Sequence, residues 1–369
     1  MQTIIFTGGG SGGHVIPAIT LIQALQHRHA DIEIKYIGSK QGVERKLIES
    51  LAIPYQAIST GKLRRYLSLK NLSDIFRIIT GISQAFFYLR KFDVNTTTIF
   101  STGGFVVVPV VIAAKLLGIR ILIHEQTTRI GLANRICSRF AAKILISFEG
   151  SRPFFPAAKT SYSGYPVRPG CYQQEIRPIQ IGSVQLDQTG KKILFISGGG
   201  NGSKLINDFF KPAIEALSQQ YTIVHQVGDA FIEEYQPMAS QDYIPIAFIG
   251  EEMIDLLKLA TIIISRSGAG MVSELLAMEK ASILIPLKIA QQNEQFHNAT
   301  EAQTLLGSMV VEEDQLNQFT PQSLIDVFMK KRRHDQTRVK TSSTQDESQS
   351  RHSTQNATDR ILAELISAY

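Results

Sequence analysis

The chain has 369 residues, 44% of them hydrophobic and 19% charged, with a formal net charge of +6 at pH 7. Its length favours two domains over one hydrophobic core, and its composition is that of a folded globular protein rather than a disordered or fibrous one. The mild positive charge suits anionic partners, but no zinc-ligand spacing and no basic stretch interleaved with aromatic residues indicates nucleic-acid binding.

Cysteine usage and the N-terminal residues bear on the cellular compartment. The two cysteines, Cys137 and Cys171, form no CxxC pair, which argues against a disulfide scaffold or metal site and is typical of a reducing cytoplasm. The chain starts directly with the pattern of an apolar strand, so we expect no signal peptide. Every apolar stretch of about 18 residues has polar or charged interruptions, so we also expect no membrane-spanning helix.

Short apolar segments alternate with segments of helical periodicity along the chain. The apolar segments predict strands at residues 3–7, 33–37, 97–101, 120–124, 143–147, 193–197, 222–226, 245–249, 261–265 and 282–286. The periodic segments predict helices at residues 15–28, 42–51, 72–91, 107–117, 130–140, 204–218, 252–259, 270–278, 294–305 and 357–368. Strands that are apolar throughout and separated by helices are typical of parallel sheets with both faces covered. We therefore predict a doubly wound α/β fold.

Glycine-rich turns at residues 8–13 and 198–202 each follow a predicted strand, which predicts two doubly wound domains in tandem. Glycines and prolines near residue 165 predict the boundary, giving domains at 1–165 and 166–356. Because ligands bind beyond the carboxyl ends of parallel strands, two such domains facing each other would form an interdomain cleft.

The C-terminal part of the chain changes in composition. The polar segment 330–356 predicts a solvated, mobile linker. Beyond it, apolar residues at helical spacing in 357–368 predict a final helix that docks on another element.

The first glycine turn, residues 8–14, brings backbone N–H groups to the start of a helix, where they and the helix dipole favour an anion. Its Gly-x-Gly-x-x-Gly spacing also matches the dinucleotide fingerprint of nicotinamide-dependent reductases. That fingerprint requires an acidic residue at the end of the second strand, whereas residues 38–40 are Gly, Ser and Lys. A reductase stays as an alternative, and no Gly-Lys-Ser/Thr sequence supports a Walker-type site.

Two further positions suggest acid–base chemistry. His14 directly follows the glycines at the helix start, a position that disfavours the imidazolium and leaves a neutral base near pH 7. The alternative is a polar loop residue without a catalytic role.

Glu125 lies in a His-Glu-Gln sequence, residues 124–126, that ends a central predicted strand. Such strand ends bear the chemistry in this fold class, although capping of the strand end explains the same residues.

A third strand–turn–helix pattern covers residues 265–274. Its backbone amides from Ala269 to Val272 can cradle a diphosphate. Glu274, one turn into the helix, can accept hydrogen bonds from both hydroxyls of a ribose. A capped helix with a surface glutamate is the alternative interpretation.

The segment 67–91 has an apolar stripe at helical spacing, formed by Leu72, Ile75, Phe76, Ile79, Ile82, Phe86 and Leu89. Ile78, Phe87 and Tyr88 fall off this stripe. Cationic residues surround it, namely Lys62, Arg64, Arg65, Lys70, Arg77, Arg90 and Lys91. A stripe of this kind commonly packs against a core, but spare apolar surface beside cations also suits shallow binding to an anionic membrane.

The motifs occur together in an order that resembles the MurG family of peptidoglycan glycosyltransferases, within glycosyltransferase family 28. The resemblance is formed by residues 9–18, 103–105, 124–126, 131–134, 164–168, 266–268, 273–274, 295 and 298–299. It implies a GT-B fold and an inverting, metal-independent transfer of N-acetylglucosamine from UDP-N-acetylglucosamine (UDP-GlcNAc). The implied acceptor is the C4 hydroxyl of the muramyl sugar of undecaprenyl-pyrophosphoryl-N-acetylmuramyl-pentapeptide (lipid I), and the implied product is lipid II.

The resemblance also implies a role for each domain and site residue. The domain 1–165, with the helix 357–369, takes lipid I and associates with the membrane, whereas the domain 166–356 takes UDP-GlcNAc. His14 and Glu125 are the candidate catalytic bases. The acceptor pyrophosphate is assigned to Gly9, Gly10, Gly103 and Gly104. The donor is assigned to Ser11, Gly12, Gly13, Thr127, Arg168, Gly200, Ile249, Ala269, Gly270, Met271, Val272, Ser273, Glu274 and Gln295.

Some positions depart from the family pattern, which has Asn where this chain has Thr127 and Ser where it has Gly200. The second glycine turn lacks the usual Tyr, Ser and Gly, and the acidic pair before Gln295 is replaced. These departures motivate a second alternative, a catalytically weakened homologue that binds a nucleotide sugar within a cell-wall complex.

The resemblance implies a peripheral protein on the cytoplasmic face of the bacterial cell membrane. Its implied partners are UDP-GlcNAc, lipid I and an anionic membrane surface, with other cell-wall or division proteins as further candidates. No cofactor and no metal are implied, and we expect no nucleic-acid partner.

Overall fold

Two parallel sheets covered by helices form most of the described part of the chain. The computed structural model describes residues 1–61, 69–173, 175–186, 190–290, 293–339 and 357–367. Contacts between residues divide the chain into two units. The first is Met1–Val167 together with the C-terminal helix, and the second begins at Arg168. The predicted doubly wound α/β architecture is confirmed in each unit.

The sheet of the first unit is parallel throughout. Its strands are β1 (Thr3–Thr7), β2 (Glu33–Ser39), β3 (Tyr55–Ile58), β4 (Thr97–Ser101), β5 (Arg120–Glu125), β6 (Lys143–Ile146) and β7 (Thr160–Tyr162). They lie in the order β3-β2-β1-β4-β5-β6-β7. The order reverses between β1 and β4, where Thr7 is the register partner of Ser101. The loops after these two strands therefore start side by side, at the point where open α/β sheets bind ligands.

Helices cover both faces of this sheet. Those before the second unit are α1 (Gly12–Arg28), α2 (Val43–Glu49), α3 (Leu69–Leu89), α4 (Val107–Leu117) and α5 (Leu132–Cys137). Alternate residues of a strand enter different cores: Ile5 packs with α3, α4 and α5, whereas Ile4 and Phe6 pack with α1 and α2. This two-sided burial explains why the strands are apolar at nearly every position.

The second unit repeats this arrangement after a short antiparallel pair, β8 (Gln180–Ile181) and β9 (Val184–Gln185). Its parallel strands are β10 (Lys192–Ser197), β11 (Tyr221–Gln226), β12 (Tyr243–Ile246), β13 (Ile262–Ser265), β14 (Ile283–Leu284) and β15 (Met309–Val310). They lie in the order β12-β11-β10-β13-β14-β15. The order reverses between β10 and β13, where Ser197 is the register partner of Ser265. The glycine turn 198–202 and the turn 266–268 therefore start side by side.

Helices also cover both faces of the second sheet. They are α6 (Lys204–Phe210), α7 (Ile214–Ser218), α8 (Ile232–Tyr235), α9 (Met253–Leu259), α10 (Ala269–Ala277), α11 (Glu294–Leu306) and α12 (Pro321–Val339). Leu194 and Ile196 of β10 pack with α6, α7 and α12, whereas Ile193 and Phe195 pack with α9, α10 and α11.

Helix α12 corrects one sequence-based expectation. A linker is predicted from residue 330, but residues 330–339 form the last turns of α12, while residues 340–356 lie outside the described residues. The helix forms because Leu324, Ile325 and Phe328 anchor it in the core of the second unit. Cationic side chains near its C-terminal end are favourable to the helix dipole.

Helix α3 bears on the two alternatives for its apolar stripe, because the first half of the stripe does not pack against the core. Three members of the stripe are 46%, 64% and 54% exposed, namely Ile75, Phe76 and Ile79. Ile78, outside the predicted stripe, is buried. Gly81 lies on the inward face, where a Cβ atom would lie 2.1 Å from the carbonyl oxygen of Ser59. This close approach of the backbone leaves no room for a side chain at position 81.

The C-terminal helix, α13 (Ala357–Ile366), packs against α1 in the first unit. Three of its side chains enter the core that contains Ile4 and Phe6, namely Ile361, Leu362 and Leu365. An ion pair also joins Asp359 to Arg28. In the part of the chain that the structure describes, no helix combines the length and apolarity needed to cross a bilayer.

Candidate active site

The two glycine turns of the first unit pack backbone against backbone at the switch point. Gly10 has a φ of 85°, and Gly104, in the turn after β4, has a φ of 83°. A Cβ atom at Gly104 would lie 1.9 Å from the carbonyl oxygen of Gly9, and one at Gly103 would lie 3.2 Å from Nδ1 of His14. Glycine is required here both for the conformation and for the close approach.

The N–H groups of the first turn divide into paired and unpaired groups. The N–H of Gly9 donates to the carbonyl oxygen of Gly103 at 3.2 Å, and that of Gly10 donates to Oε2 of Glu44 at 3.2 Å. The N–H groups of the exposed residues 11–13 make no hydrogen bond within the described chain. The part of the turn open to an anion is therefore the first turn of α1. Pyrophosphate contacts through Gly9 and Gly10 would require the existing bonds to break.

Glu44 holds the first glycine turn in place, a role that no sequence pattern predicts. Its side chain is fully buried. It accepts hydrogen bonds from the N–H of Gly10, from the N–H of Ser39 at 3.0 Å and from the Ser39 hydroxyl. The carboxylate thereby ties the glycine turn to the end of β2. The sequence contains one indication of this role. Glu44 lies in the first turn of α2, where an acidic side chain interacts favourably with unpaired backbone N–H groups.

His14 is half-buried and presents one unpaired ring nitrogen. Its Nδ1 lies 3.0 Å from the carbonyl oxygen of Thr102 and 3.2 Å from Oε1 of Gln126. Because a carbonyl oxygen can only accept, Nδ1 has the proton. Nε2 of the neutral ring is then unprotonated, and it bonds to no other residue among those described. His14 can therefore accept a proton at Nε2.

Glu125, the other candidate base, is only 2% exposed. Oε1 accepts from the N–H of Thr127 at 3.1 Å and from its hydroxyl at 2.8 Å, and Oε2 accepts from Nδ2 of Asn134 at 2.9 Å. Burial raises the pKa of Glu125, while these hydrogen bonds and the nearby His14 act in the opposite direction. Both carboxyl oxygens of Glu125 are thus hydrogen-bonded to protein groups. A substrate hydroxyl therefore reaches these oxygens less easily than it reaches Nε2 of His14.

Thr127 turns its hydroxyl toward the protein. Oγ1 lies 2.8 Å from Oε1 of Glu125 and 2.5 Å from the carbonyl oxygen of Arg129. The hydroxyl has one proton, which these two acceptor oxygens share. The predicted donor-sugar contact of Thr127 therefore competes with two contacts inside the first unit.

Gln126 connects His14 to a second histidine. Its Nε2 donates to Nδ1 of His124 at 3.1 Å and to the backbone carbonyl of His124 at 3.0 Å. Nε2 of His124 donates to the carbonyl oxygen of Gly164 at 3.1 Å and lies 3.2 Å from the Ser147 hydroxyl. His124 is fully buried, and this burial lowers its pKa to about 4. The ring of His124 is therefore neutral at physiological pH.

In the second unit, two residues predicted to bind the nucleotide bind each other. Nε of Arg168 donates to Oε1 of Glu274 at 2.8 Å, and Nη2 donates to Oε2 at 2.9 Å. Nη1 of Arg168 donates to the carbonyl oxygen of Gly250 at 3.4 Å. A carboxylate has about four lone-pair positions, so Glu274 keeps acceptor capacity for ribose hydroxyls.

Helix α10 offers unpaired N–H groups at its start. Among the residues that the structure describes, the N–H groups of residues 269–271 have no hydrogen-bond partner, whereas that of Val272 donates to the carbonyl oxygen of Gly268 at 3.0 Å. The predicted diphosphate cradle thus has unpaired donors at Ala269, Gly270 and Met271 but not at Val272. Ser273 is buried within the helix.

Arg266 holds the turn before α10 in place and is 8% exposed. Its Nη2 donates to the Ser203 hydroxyl at 2.8 Å, and its Nη1 lies 2.7 Å from Oε1 of Glu313. Burial lowers the pKa of Arg266, and the charge of Glu313 opposes this shift. Because Ser203 caps α6, the arginine links the two turns that lie side by side after β10 and β13.

Gln295 presents its amide nitrogen. Its Oε1 accepts from the N–H of Leu287 at 3.0 Å, and its backbone carbonyl accepts from the Ser267 hydroxyl at 2.8 Å. Nε2 makes no hydrogen bond to the described residues, which leaves two N–H donors for a ligand hydroxyl. The family pattern has its acidic pair around residues 291–294, and of these Gln291 and Gln292 lie outside the described residues.

Ile249 and Gly200 border an aromatic side chain that no sequence motif indicates. The N–H of Ile249, a position predicted to bind the donor, donates to Oε1 of Gln226 at 3.3 Å, so this N–H is already hydrogen-bonded within the protein. A Cβ atom at Gly200 would lie 3.7 Å from the ring of Phe248. Phe248 is 58% exposed, and an exposed ring beside a glycine turn provides a flat surface for a base.

The described residues contain no cluster of three or more His, Cys, Asp or Glu side chains that could hold a metal ion. Cys137 and Cys171 are both buried. Burial raises the pKa of each thiol to about 12, so neither cysteine is a nucleophile at neutral pH.

Comparison with protein families matches both units. The N-terminal domain of glycosyltransferase family 28 matches residues 4–146, and the C-terminal domain of that family matches residues 193–360. A Clostridium kluyveri protein is 38% identical over 333 residues, covering 89% of this chain and 91% of its own length. A Lachnospira eligens protein is 39% identical over 323 residues, covering 87% and 89%. Both are named UDP-N-acetylglucosamine–N-acetylmuramyl-(pentapeptide) pyrophosphoryl-undecaprenol N-acetylglucosamine transferase.

Solved structures agree with this match. The crystal structure of Acinetobacter baumannii MurG is similar with a TM-score of 0.64 and 25% sequence identity, covering 98% of this chain and 99% of that one. The kitacinnamycin glycosyltransferase has a TM-score of 0.67 at 12% identity, covering 99% and 98%. The second similarity concerns the fold alone.

Proposed function

Because the chain belongs to glycosyltransferase family 28, and within it to the MurG family, we propose that it transfers N-acetylglucosamine from UDP-GlcNAc to lipid I, giving lipid II. The observation that supports these substrates is the 38% identity over 89% of the chain with a transferase whose name states both of them. The family assignment leaves no support for a nicotinamide-dependent reductase.

We assign the donor to the second unit. The unpaired N–H groups of Ala269, Gly270 and Met271 at the start of α10 suit the diphosphate of UDP. Glu274 accepts the ribose hydroxyls, and Arg168 holds this carboxylate in one orientation. Gln295 donates from its unpaired amide nitrogen to a sugar hydroxyl.

We assign the acceptor to the first unit. The unpaired N–H groups of residues 11–13 form the start of the 17-residue helix α1, which favours an anion. With UDP held by the second unit, the anion that this turn takes is the pyrophosphate of the lipid. This assignment differs from the resemblance, which places Ser11, Gly12 and Gly13 on the donor sugar and Gly9 and Gly10 on the pyrophosphate.

His14 acts as the general base in this proposal. Nε2 takes the proton of the acceptor hydroxyl while the oxygen attacks the anomeric carbon from the side opposite UDP, which inverts the configuration. Backbone N–H groups at the start of α10 meet the charge that develops on the leaving diphosphate. Glu125 is the less suitable base, because both of its oxygens are already hydrogen-bonded inside the protein.

We further propose that α3 seats the protein on the cytoplasmic face of an anionic membrane. Four large apolar side chains on this helix are 46–64% exposed, namely Ile75, Phe76, Ile79 and Phe87. The Arg90 guanidinium lies over the Phe87 ring, 5.9 Å from its centre. Apolar side chains beside cations suit the boundary between headgroups and acyl chains. Lys62, Arg64 and Arg65 lie outside the described residues, as does the side chain of Lys70.

The decisive experiment measures transfer of radiolabelled N-acetylglucosamine from UDP-GlcNAc to synthetic lipid I by the purified full chain. We expect a radiolabelled lipid product that requires both substrates. Binding of UDP-GlcNAc without any transfer would refute the proposed activity and favour the catalytically weakened homologue. UDP-glucose serves as the control donor, since a transferase for N-acetylglucosamine should use it poorly.

A further inference from the structure

A series of hydrogen bonds connects Gly164 to His14 through His124 and Gln126, and only one assignment of donors and acceptors satisfies all of them. The carbonyl oxygen of Gly164 can only accept, so Nε2 of His124 has the proton and Nδ1 of His124 is an acceptor. This Nδ1 and the backbone carbonyl of His124 both require a donor, which turns the amide nitrogen of Gln126 toward His124. Oε1 of Gln126 then faces Nδ1 of His14 at 3.2 Å.

The opposite orientation of the Gln126 amide is unfavourable. It would place Oε1 against two acceptors of His124 and would place NH2 against the protonated Nδ1 of His14. Gln126 and His124 are 1% and 0% exposed, so water does not replace the lost partners. Buried polar groups without partners are strongly disfavoured.

The ring of His124 is also held by packing. It stacks on Phe100 with ring centres 6.3 Å apart and planes 22° apart, and it meets Tyr165 edge-on at 6.5 Å. Because this ring cannot turn, its Nδ1 acceptor stays in place and holds the Gln126 amide in one orientation.

We propose that Gln126 and His124 are positioning residues that act with the carbonyl oxygen of Thr102 to hold His14 as its Nδ1–H tautomer and so leave Nε2 as the base. This inference rests on the proposed function. In the reaction, the proton of the acceptor hydroxyl moves to Nε2, and the hydroxyl oxygen bonds to the anomeric carbon. The bond from that carbon to the diphosphate breaks, and UDP keeps the electron pair. As the ring becomes a cation, its Nδ1–H bonds more strongly to the carbonyl oxygens of Thr102 and Gln126.

The test compares Gln126→Met with a matched control. The substitution keeps the length of the side chain but removes the amide. Gln84→Met is the control, because Gln84 lies in the same unit, is partly buried and accepts from the N–H of Ser59 at 2.7 Å. Both variants lose an amide from the first unit, but only one loses a contact to His14.

The first readout is independent of activity. Nitrogen NMR of imidazole-labelled full-length protein reports which ring nitrogen of neutral His14 is protonated. We expect Nδ1–H and unprotonated Nε2 in the wild type and in Gln84→Met, and a larger Nε2–H fraction in Gln126→Met. A wild-type ring protonated at Nε2, or no change in Gln126→Met, would overturn the proposal.

The second readout is the split between kcat and KM. A general base contributes roughly 10²- to 10⁴-fold, so loss of its orientation in Gln126→Met should lower kcat about tenfold or more. KM for both substrates should stay within about twofold. His124→Asn, which keeps an acceptor for the Gln126 amide, should retain more kcat than His124→Phe, which keeps only the ring. The reverse order would overturn the proposal.

The two hypotheses fail in different ways. If the wild-type protein transfers no N-acetylglucosamine, the proposed function fails, and NMR alone decides the tautomer. If transfer occurs and kcat of Gln126→Met equals that of Gln84→Met, the proposed function stands and the positioning role is refuted.

Discussion

Arg168 and Glu274 form a bidentate ion pair in the second unit, with N–O distances of 2.8 and 2.9 Å. The Glu274 side chain is 8% exposed and the Arg168 side chain is 31% exposed. The arginine therefore covers the carboxylate and fixes its orientation before a nucleotide binds. A carboxylate oriented in advance binds ribose hydroxyls at a lower entropic cost.

Replacing Glu274 with Gln should weaken UDP binding by about tenfold or more, because a hydrogen bond to a charged group contributes about 1.5–3 kcal/mol. Calorimetry should show that the wild type prefers UDP to 2′-deoxy-UDP and that Glu274→Gln does not distinguish them. Asp255→Asn is the control, since Asp255 is also buried and paired with an arginine, Arg177, at 2.9 Å. The ribose assignment is refuted if Glu274→Gln retains the preference for UDP.

Replacing His14 with Ala should lower kcat by about 100-fold or more, since a general base contributes roughly 10²- to 10⁴-fold. Affinity for UDP should be unchanged, because the nucleotide is assigned to the second unit. His27→Ala, in the last turn of the same helix, is the control and should keep wild-type turnover. Near-normal turnover of His14→Ala would contradict the assignment of the base.

Replacing Glu44 with Gln should raise KM for lipid I and leave KM for UDP-GlcNAc unchanged. The Gln side chain has only one acceptor atom, so an amide NH2 would face either Gly10 N–H or the Ser39 donors and disturb the glycine turn. One unpaired buried group costs about 1–3 kcal/mol, or roughly 5- to 150-fold in affinity. Glu49→Gln, on the exposed side of the same helix, controls for the loss of charge. An equal rise in KM for both substrates would indicate general damage to the fold.

The free energy of unfolding should fall as the pH decreases below about 6.5, because His225 is buried as a neutral ring. Its unfolded pKa is near 6.5, and burial lowers its folded pKa to about 3. Between these values the unfolded chain binds more protons than the folded chain, so stability decreases as the pH falls, by about 2 kcal/mol at pH 5.

His225→Gln should remove the part of this loss that His225 contributes between pH 7 and pH 5, about 2 kcal/mol, because Gln does not titrate and can still donate to Asn207. The loss from His124, whose pKa burial lowers to about 4, should remain. Chemical denaturation of both proteins at the two pH values measures the difference. His27→Gln, at an exposed position, should keep the pH dependence of the wild type. An unchanged slope in His225→Gln would show that other groups dominate acid unfolding.

Replacing Phe76 and Phe87 together with Ser should release the protein from anionic vesicles. The two rings are 64% and 60% exposed, and burying each large apolar side chain contributes about 1.5–3 kcal/mol. Sedimentation with phosphatidylglycerol vesicles measures binding, and UDP affinity should not change. Leu305→Ser, at a side chain of the second unit that is 54% exposed, should still bind. Equal vesicle binding by all three proteins would refute the membrane assignment.

Local patterns in the sequence determine the class of fold. Apolar strands such as 3–7 and 193–197, each followed by a glycine turn and a periodic segment, are sufficient to predict doubly wound units, because two-sided burial of a parallel sheet leaves this signature in consecutive residues. The same holds for His14 and Glu274, whose positions just after glycine turns indicate chemistry. The last turns of α12 and the inward face of α3 are not predicted, since each packs against distant parts of the chain, α12 through Leu324 and Phe328 and α3 at Gly81 beside Ser59.

Only the tertiary structure decides the chemical state of the site. The Nδ1–H tautomer of His14 depends on Thr102 and Gln126, which are 88 and 112 residues away in the chain. The pairing of Gly10 with Glu44 moves the unpaired N–H groups of the first turn to residues 11–13. The order of the strands in the sheet decides which strand ends lie side by side, and so which groups form hydrogen bonds. The spacing of residues along the sequence does not give this order. The sequence by itself therefore determined where the turns are, and the packing of β1, β4 and β5 decided which of their atoms are open to a substrate.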